Sequence, residues 1–244
     1  MPRASRKPPI LIVLHQESST PGRVGLMLTE RGYALDIRRP PLGDMLPPTL
    51  AEHSGAVVFG GPMSANDNAE WVAREIAWLE VPLKERAPFF GICLGAQMLA
   101  RHLGAGVATH PAGLVERGFY PLTPTKAGRE LFDWPEQVHH FHQEGFDLPA
   151  GATLLATGET FTNQAFRYGD AAYGIQFHVE LTLAMVHRWT TRGCDRLREP
   201  GGQGREAHFE GRALYDHATL RWLSDFLDHW LPAPVNGTRA ARAG

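Results

Sequence analysis

Seven residues, Gly91-Ile92-Cys93-Leu94-Gly95-Ala96-Gln97, constrain this chain more than any other stretch. The apolar run Pro88-Phe89-Phe90 leads into them and reads as a buried strand. Met98-Leu99-Ala100-Arg101-His102-Leu103-Gly104 follows and reads as a helix closed by glycine. A cysteine at a strand-to-helix turn, with glycines two residues before and two after, has the spacing of a nucleophile elbow. Such a turn is crowded and strained, and a residue without Cβ fits it most easily. The helix that starts next turns its free N–H groups and positive dipole end toward the sulfur, which favours thiolate over thiol. A lone cysteine is more commonly a small buried hydrophobe, so the rest of the chain must decide.

With 244 residues, 43% of them hydrophobic, the chain is long enough for one large α/β domain. A formal net charge of -2 gives no electrostatic reason to expect nucleic acid or an anionic membrane surface as a partner. Cys93 and Cys194 are the two cysteines and do not make a disulfide framework. No apolar run approaches the roughly 20 residues of a membrane span. Met1 to Lys7 is basic, but Ile10 to Leu14 is too short for a secretory core. These features predict a soluble cytoplasmic protein in a compartment where a free thiol survives.

Ile10–His15, Ala34–Arg38, Ala56–Phe59 and Pro88–Ile92 read as strands, the first, third and fourth apolar on both faces as in a parallel sheet. Between them, helical spacing runs through Val24, Met27, Leu28 and Arg31, and through Val72, Ile76, Leu79 and Leu83. Strands alternating with helices predict a doubly wound, mostly parallel central sheet flanked by helices. Such sheets bind ligands beyond the carboxyl ends of their strands, where both Gly60-Gly61 and Cys93 fall. After Gly104 the strands are shorter (119–123, 138–142, 153–156, 164–167 and 173–177), predicting a small antiparallel β element in the second half. Residues 182–192 and 218–230 read as helices, and Gly201 to Gly204 as a mobile loop. Residues 10–231 form the expected single domain, between a flexible N-terminus of residues 1–9 and a flexible tail of residues 232–244.

A thiolate nucleophile needs a base, and the base needs something to orient it. Of twelve histidines, His178 stands out, because it follows the apolar strand that ends at Phe177 and Glu180 lies two residues on. In extended backbone, residues two apart point the same way, so Glu180 can accept from the ring nitrogen that faces away from sulfur. Isolated, such a pair is more commonly a solvated rim feature. The N–H of Leu94, the residue after the nucleophile, and that of Gly61 are candidate oxyanion donors. His139, His140 and His142 with Glu144 lack typical zinc-ligand spacing and read as a strand with polar faces, so no metal is expected. Trp71, Trp78, Trp222 and Trp230 read as helix-face core residues, and Cys194 as incidental.

The elbow, together with Gly60-Gly61-Pro62-Met63-Ser64 upstream and Gln176-Phe177-His178-Val179-Glu180 downstream, resembles the class I glutamine amidotransferase family, in its order, over roughly residues 10 to 190. The nearest likeness is to stand-alone, GMP-synthase-like amidotransferase domains. The resemblance implies a flavodoxin-like fold, glutamine or a γ-glutamyl small molecule as substrate, and no cofactor. It implies that Cys93 attacks the γ-amide to form a γ-glutamyl thioester. His178 then protonates the departing ammonia and activates water, Glu180 orients His178, and Gly61 and Leu94 hold the oxyanion. By the same likeness, Gln97 helps hold the substrate, and Phe141-His142-Gln143-Glu144, with His142 and Gln143 foremost, aligns with the segment beside its α-amino and α-carboxylate groups. Two positions depart from the pattern. Val179 stands where the family has proline, and His142-Gln143-Glu144 where near relatives read His-Gly-Asp. No Gly-rich phosphate loop follows, so any ammonia-accepting synthase is expected on a separate subunit. A stand-alone γ-glutamyl peptidase and a non-catalytic binding module are the alternatives, and the oligomeric state stays open.

Overall fold

Runs that are apolar on both faces become the central strands. In the computed structural model, which describes residues 7–231, the elements are β1 (Ile10–Val13), α1 (Gly22–Glu30), β2 (Leu35–Arg38), β3 (Gly55–Val58), α2 (Glu70–Trp78), α3 (Glu80–Glu85), β4 (Phe89–Ile92), α4 (Leu94–His102), β5 (Val107–Thr109), β6 (Glu116–Pro121), β7 (Thr123–Pro124), α5 (Lys126–Leu131), β8 (Gln137–His142), β9 (Glu144–Phe146), β10 (Thr153–Thr157), β11 (Asn163–Tyr168), β12 (Ala172–Ile175), α6 (Leu183–Arg192) and α7 (Arg205–Trp230). The termini expected to be flexible fall outside the described residues, apart from Lys7 to Pro9. There Lys7 Nζ donates to the Arg31 carbonyl, and the Pro8 and Pro9 carbonyls accept from Ser54.

One eight-stranded sheet runs in the order β2-β1-β3-β4-β12-β11-β10-β7. The first five strands are parallel, and the last three continue the sheet antiparallel. β1, β3, β4 and β12 are buried at every position, as strands covered on both faces must be. Alternation then sorts their side chains. Ile10, Ile12 and Phe90 join Val24, Leu28, Trp222 and Phe226 on one face. Leu11, Val13 and Phe89 join Val72, Met98 and Leu99 on the other. The antiparallel part is larger than the sequence predicts. Besides the extension of the main sheet there are two separate ladders, β5 with β9 and β6 with β8.

Three further differences have physical reasons. The single helical face through Val72 and Leu83 breaks into α2 and α3 at Leu79. Pro82 lacks an N–H and its ring would strike the Trp78 carbonyl in a continuous helix. Gly201 to Gly204, expected to be mobile, is tied to β6: Gln203 donates to the Phe119 carbonyl at 2.6 Å and accepts from its N–H at 3.0 Å. The last helix begins thirteen residues earlier than expected, at Arg205. No helix among the described residues is long and apolar enough to cross a membrane.

Candidate active site

Cys93 ends β4 and caps α4, with φ 51° and ψ −105°. Positive φ is rare for a non-glycine residue and costs of order 1–3 kcal/mol, so the surroundings must enforce it. The enforcement is visible. Cys93 N–H donates to the Ile175 carbonyl of β12 at 2.8 Å, and the two elbow glycines let α4 lie directly against the sheet. A Cβ on Gly95 would stand 2.2 Å from the Val58 carbonyl oxygen, and one on Gly91 would stand 2.7 Å from the Gly95 carbonyl. The result is a sulfur over the carboxyl ends of the strands, 5% exposed, at a helix N-terminus.

From β12 the chain continues extended across to β8, where His178 N–H donates to the His139 carbonyl at 2.8 Å. Val179 turns into the core while His178 and Glu180 share the other side, so a β-branched apolar residue replaces proline without moving either polar group. The Glu180 carboxylate accepts from His178 Nδ1 at 2.7 Å. That leaves the other ring nitrogen free beside Cys93, which lines the same cavity. Trp189 of α6 packs edge-on against the imidazole with centroids 4.8 Å apart. Burial, the largest single influence on His178, disfavours its charge. The Glu180 carboxylate and the Cys93 sulfur together outweigh it and raise the pKa to about 10. The charged form of His178 is therefore the favoured one at neutral pH. Behind Glu180, its backbone carbonyl accepts from Arg23 N–H at 3.1 Å. The Arg23 guanidinium donates to the Leu181 carbonyl and pairs with Asp216 of α7 at 2.7 Å.

The backbone N–H groups of Leu94, Gly60 and Gly61, close to Cys93 in the fold, have no hydrogen-bond partner among the described residues. A cavity of about 290 Å³ opens beside them, lined among others by Gly60, Gly61, Cys93, Phe141 and His178. It runs past His178 along α6 to Arg188, Arg192 and Arg196.

Residues 27–188 match the family model described as glutamine amidotransferase class-I. The chain belongs to the class I glutamine amidotransferase family. A glutamine amidotransferase-like protein of Salmonella typhimurium is 34% identical over 201 residues, covering 78% of this chain and 83% of that one. Gamma-glutamyl peptidase 3 of Arabidopsis thaliana is 29% identical over 142 residues, 54% of this chain and 56% of that protein. The crystal structure of a glutamine amidotransferase from Methylobacillus flagellatus superposes with a TM-score of 0.85 at 28% identity, covering 92% and 94% of the two chains. The flavodoxin-like, mostly parallel fold expected from the resemblance is the fold observed.

Within this amidotransferase fold, Gln97, His142 and Gln143, expected beside substrate, do not line the cavity. Alternation along β8 turns Phe141 toward the cavity and His140 and His142 to the opposite face. Gln97 is buried, and its Nε2 donates to the Glu144 carbonyl at 2.8 Å and to Gln176 Oε1 at 3.1 Å. Gln176 Nε2 in turn points at Cys93 Sγ, 3.6 Å away, so Gln97 reaches the sulfur through Gln176. Gln143 is exposed and accepts from Arg117. His142 meets Glu116 at 3.0 Å and His140 at 3.0 Å. His140 is pushed down to about 3, chiefly by burial. Glu116 falls to about 2 although burial opposes it, because His140, His142 and Gln164 surround its carboxylate.

The donor atoms of Glu116, His140 and His142 lie within 4.8 Å of one another, so this trio, rather than one including Glu144, is where three ligands for a metal converge. Glu144 instead accepts from Ser64 Oγ at 2.9 Å. Gln176, Trp189 and His15 were not singled out from the sequence. Gln176 carried a readable signal, being two residues before His178 and therefore on its side of the strand.

Proposed function

We propose that the protein hydrolyses the γ-amide of glutamine, or the γ-glutamyl bond of a related compound, through a γ-glutamyl thioester on Cys93. One observation carries this reading: the positive-φ cysteine at the helix N-terminus shares a cavity with a histidine whose Nδ1 is held by Glu180, beside unpartnered backbone N–H groups. Sulfur attacks the amide carbon, and the N–H groups of Leu94 and Gly61 take up the developing oxyanion. His178 gives its proton to the departing nitrogen, the C–N bond breaks and the thioester remains. The now neutral imidazole removes a proton from water, which attacks the thioester and releases glutamate. Glu180 keeps the ring in the productive tautomer and stabilises its charged form.

Incubation with glutamine and assay of free glutamate tests the reading, with Cys93→Ala as control. Hydroxylamine added during turnover should divert the thioester to γ-glutamyl hydroxamate. Neither glutamate nor hydroxamate above the control level would favour a non-catalytic binding module. A second reading, a γ-glutamyl peptidase that expels an amine larger than ammonia, is favoured by the reach of the cavity past His178 to Arg196. Under the first reading the released ammonia is the product handed on to an acceptor synthase.

A further inference from the structure

The cavity beyond His178 is strongly one-sided in charge. Arg188, Arg192 and Arg196 line it, and Glu180, engaged by His178, is its one acidic residue. None of the three arginines takes part in an ion pair among the described residues. Arg188 is half-buried and anchored by donating to the Ser18 carbonyl at 2.7 Å. Arg188 and Arg192 are four residues apart on α6 and so lie on one helix face. Ammonia has no use for such a wall, and a guanidinium offers its fork to carboxylate-like oxygens. Trp189, on the same helix, packs on His178, and the arginines line the same cavity as that imidazole.

Building on the hydrolase reading, we propose that this outer half of the cavity is a subsite for an anionic leaving group. The substrate class is then a γ-glutamyl amino acid, whose free carboxylate is held by Arg188 and Arg192. Water is consumed, the γ-glutamyl C–N bond breaks, and glutamate and the amino acid are released, the amine taking its proton from His178. Comparing γ-glutamylglycine with neutral γ-glutamylglycinamide isolates the carboxylate. kcat/KM should favour the acid by at least about tenfold, the scale of a charge-assisted hydrogen bond. In Arg188→Gln/Arg192→Gln the ratio should collapse toward one. A ratio near one in the unaltered protein, or a ratio unchanged in the double variant, overturns the subsite while leaving the hydrolase reading intact. No cleavage of either compound or of glutamine overturns the hydrolase reading itself.

A separate observation concerns the oxyanion loop. His15, just past β1, is 1% exposed. Its Nδ1 meets the Gly60 carbonyl at 3.2 Å and its Nε2 meets Glu75 Oε1 at 2.9 Å. The Gly60 carbonyl can only accept, so Nδ1 donates to it, while Glu75 holds the other ring nitrogen. The Gly60 carbonyl and the Gly61 N–H belong to one trans peptide and point in opposite directions. Fixing the carbonyl on His15 therefore fixes the direction of the N–H, and a hydrogen bond at the carbonyl end polarises that N–H further.

We infer that His15, held by Glu75, is a positioning residue for the Gly61 oxyanion donor. His15→Leu and Glu75→Gln should lower kcat for glutamine, by on the order of 10²-fold in His15→Leu, with little change in KM. Alkylation of Cys93 by iodoacetamide builds no oxyanion and should proceed at nearly the rate of the unaltered protein. A parallel fall in alkylation would reveal general distortion and overturn the inference, as would an unchanged kcat.

Discussion

Replacing Gly95 by alanine tests how the elbow is held. The added Cβ would lie 2.2 Å from the Val58 carbonyl oxygen, 2.8 Å from its carbon and 3.0 Å from the Val58 Cβ. Two of these atoms are backbone of a central strand paired on both sides, so no flexible side chain can give way. Restoring ordinary contact requires α4 to recede from β3 by about 1 Å. Overpacking of this kind costs about 1–3 kcal/mol. The same recession carries the Leu94 N–H and the Cys93 sulfur away from His178, and a misplacement of about 1 Å costs on the order of 10²-fold in rate.

Urea unfolding gives the first quantity and glutamate release the second. Gly204→Ala is the control, because φ there is −63° and a Cβ meets nothing within 4 Å. Its stability should stay within about 0.5 kcal/mol of the parent. A Gly95→Ala protein as stable as that control, with kcat within about threefold of the parent, would refute the claim that α4 is seated by backbone contact.

Cys93→Ala and His178→Ala should each abolish glutamate release, whereas Glu180→Gln should retain a measurable rate, since it harms orientation and charge but keeps the nucleophile. Because the folded pKa of His178, about 10, lies above its ordinary value of 6.5, the stability gained by charging it is complete below about pH 6.5 and disappears as pH rises toward 10. The stability gap between the parent and His178→Ala, followed by urea unfolding, should narrow over that window. Glu116 behaves oppositely. Its pKa falls from 4.5 to about 2, so its contribution is present above pH 4.5 and is lost as pH falls toward 2. Glu116→Gln should be less stable than the parent at neutral pH and nearly equal to it near pH 2.

The elbow was legible because its chemistry is local: two glycines, one cysteine and a strand-to-helix transition leave few geometries. His178 and Glu180 were legible because extended spacing survives even where β12 ends at Ile175. The first half of α7 was not, since Arg205 to His217 carries charges throughout, includes Gly211, and buries His208 against β8 before the helix turns Trp222 and Phe226 to the sheet. No single apolar stripe spans both halves. That Gln97 and His142 lie outside the cavity was not legible for a related reason. A polar residue near a nucleophile reads the same whether it faces substrate or a second buried polar group, and only the register of β8 and the packing of Gln176 distinguish the two. The pairings of His15 with Glu75 and of Glu116 with the β8 histidines join residues far apart in sequence, so no local pattern announces them.

Arg23 ties the loop that carries Glu180 to Asp216, and both residues fall outside the stretch by which kinship is recognised, residues 27–188. A fragment trimmed to that stretch would keep the sulfur, the imidazole and the carboxylate and yet lose the fastening that aligns the last of them. The final helix carries none of those three side chains and yet holds the segment that bears one of them.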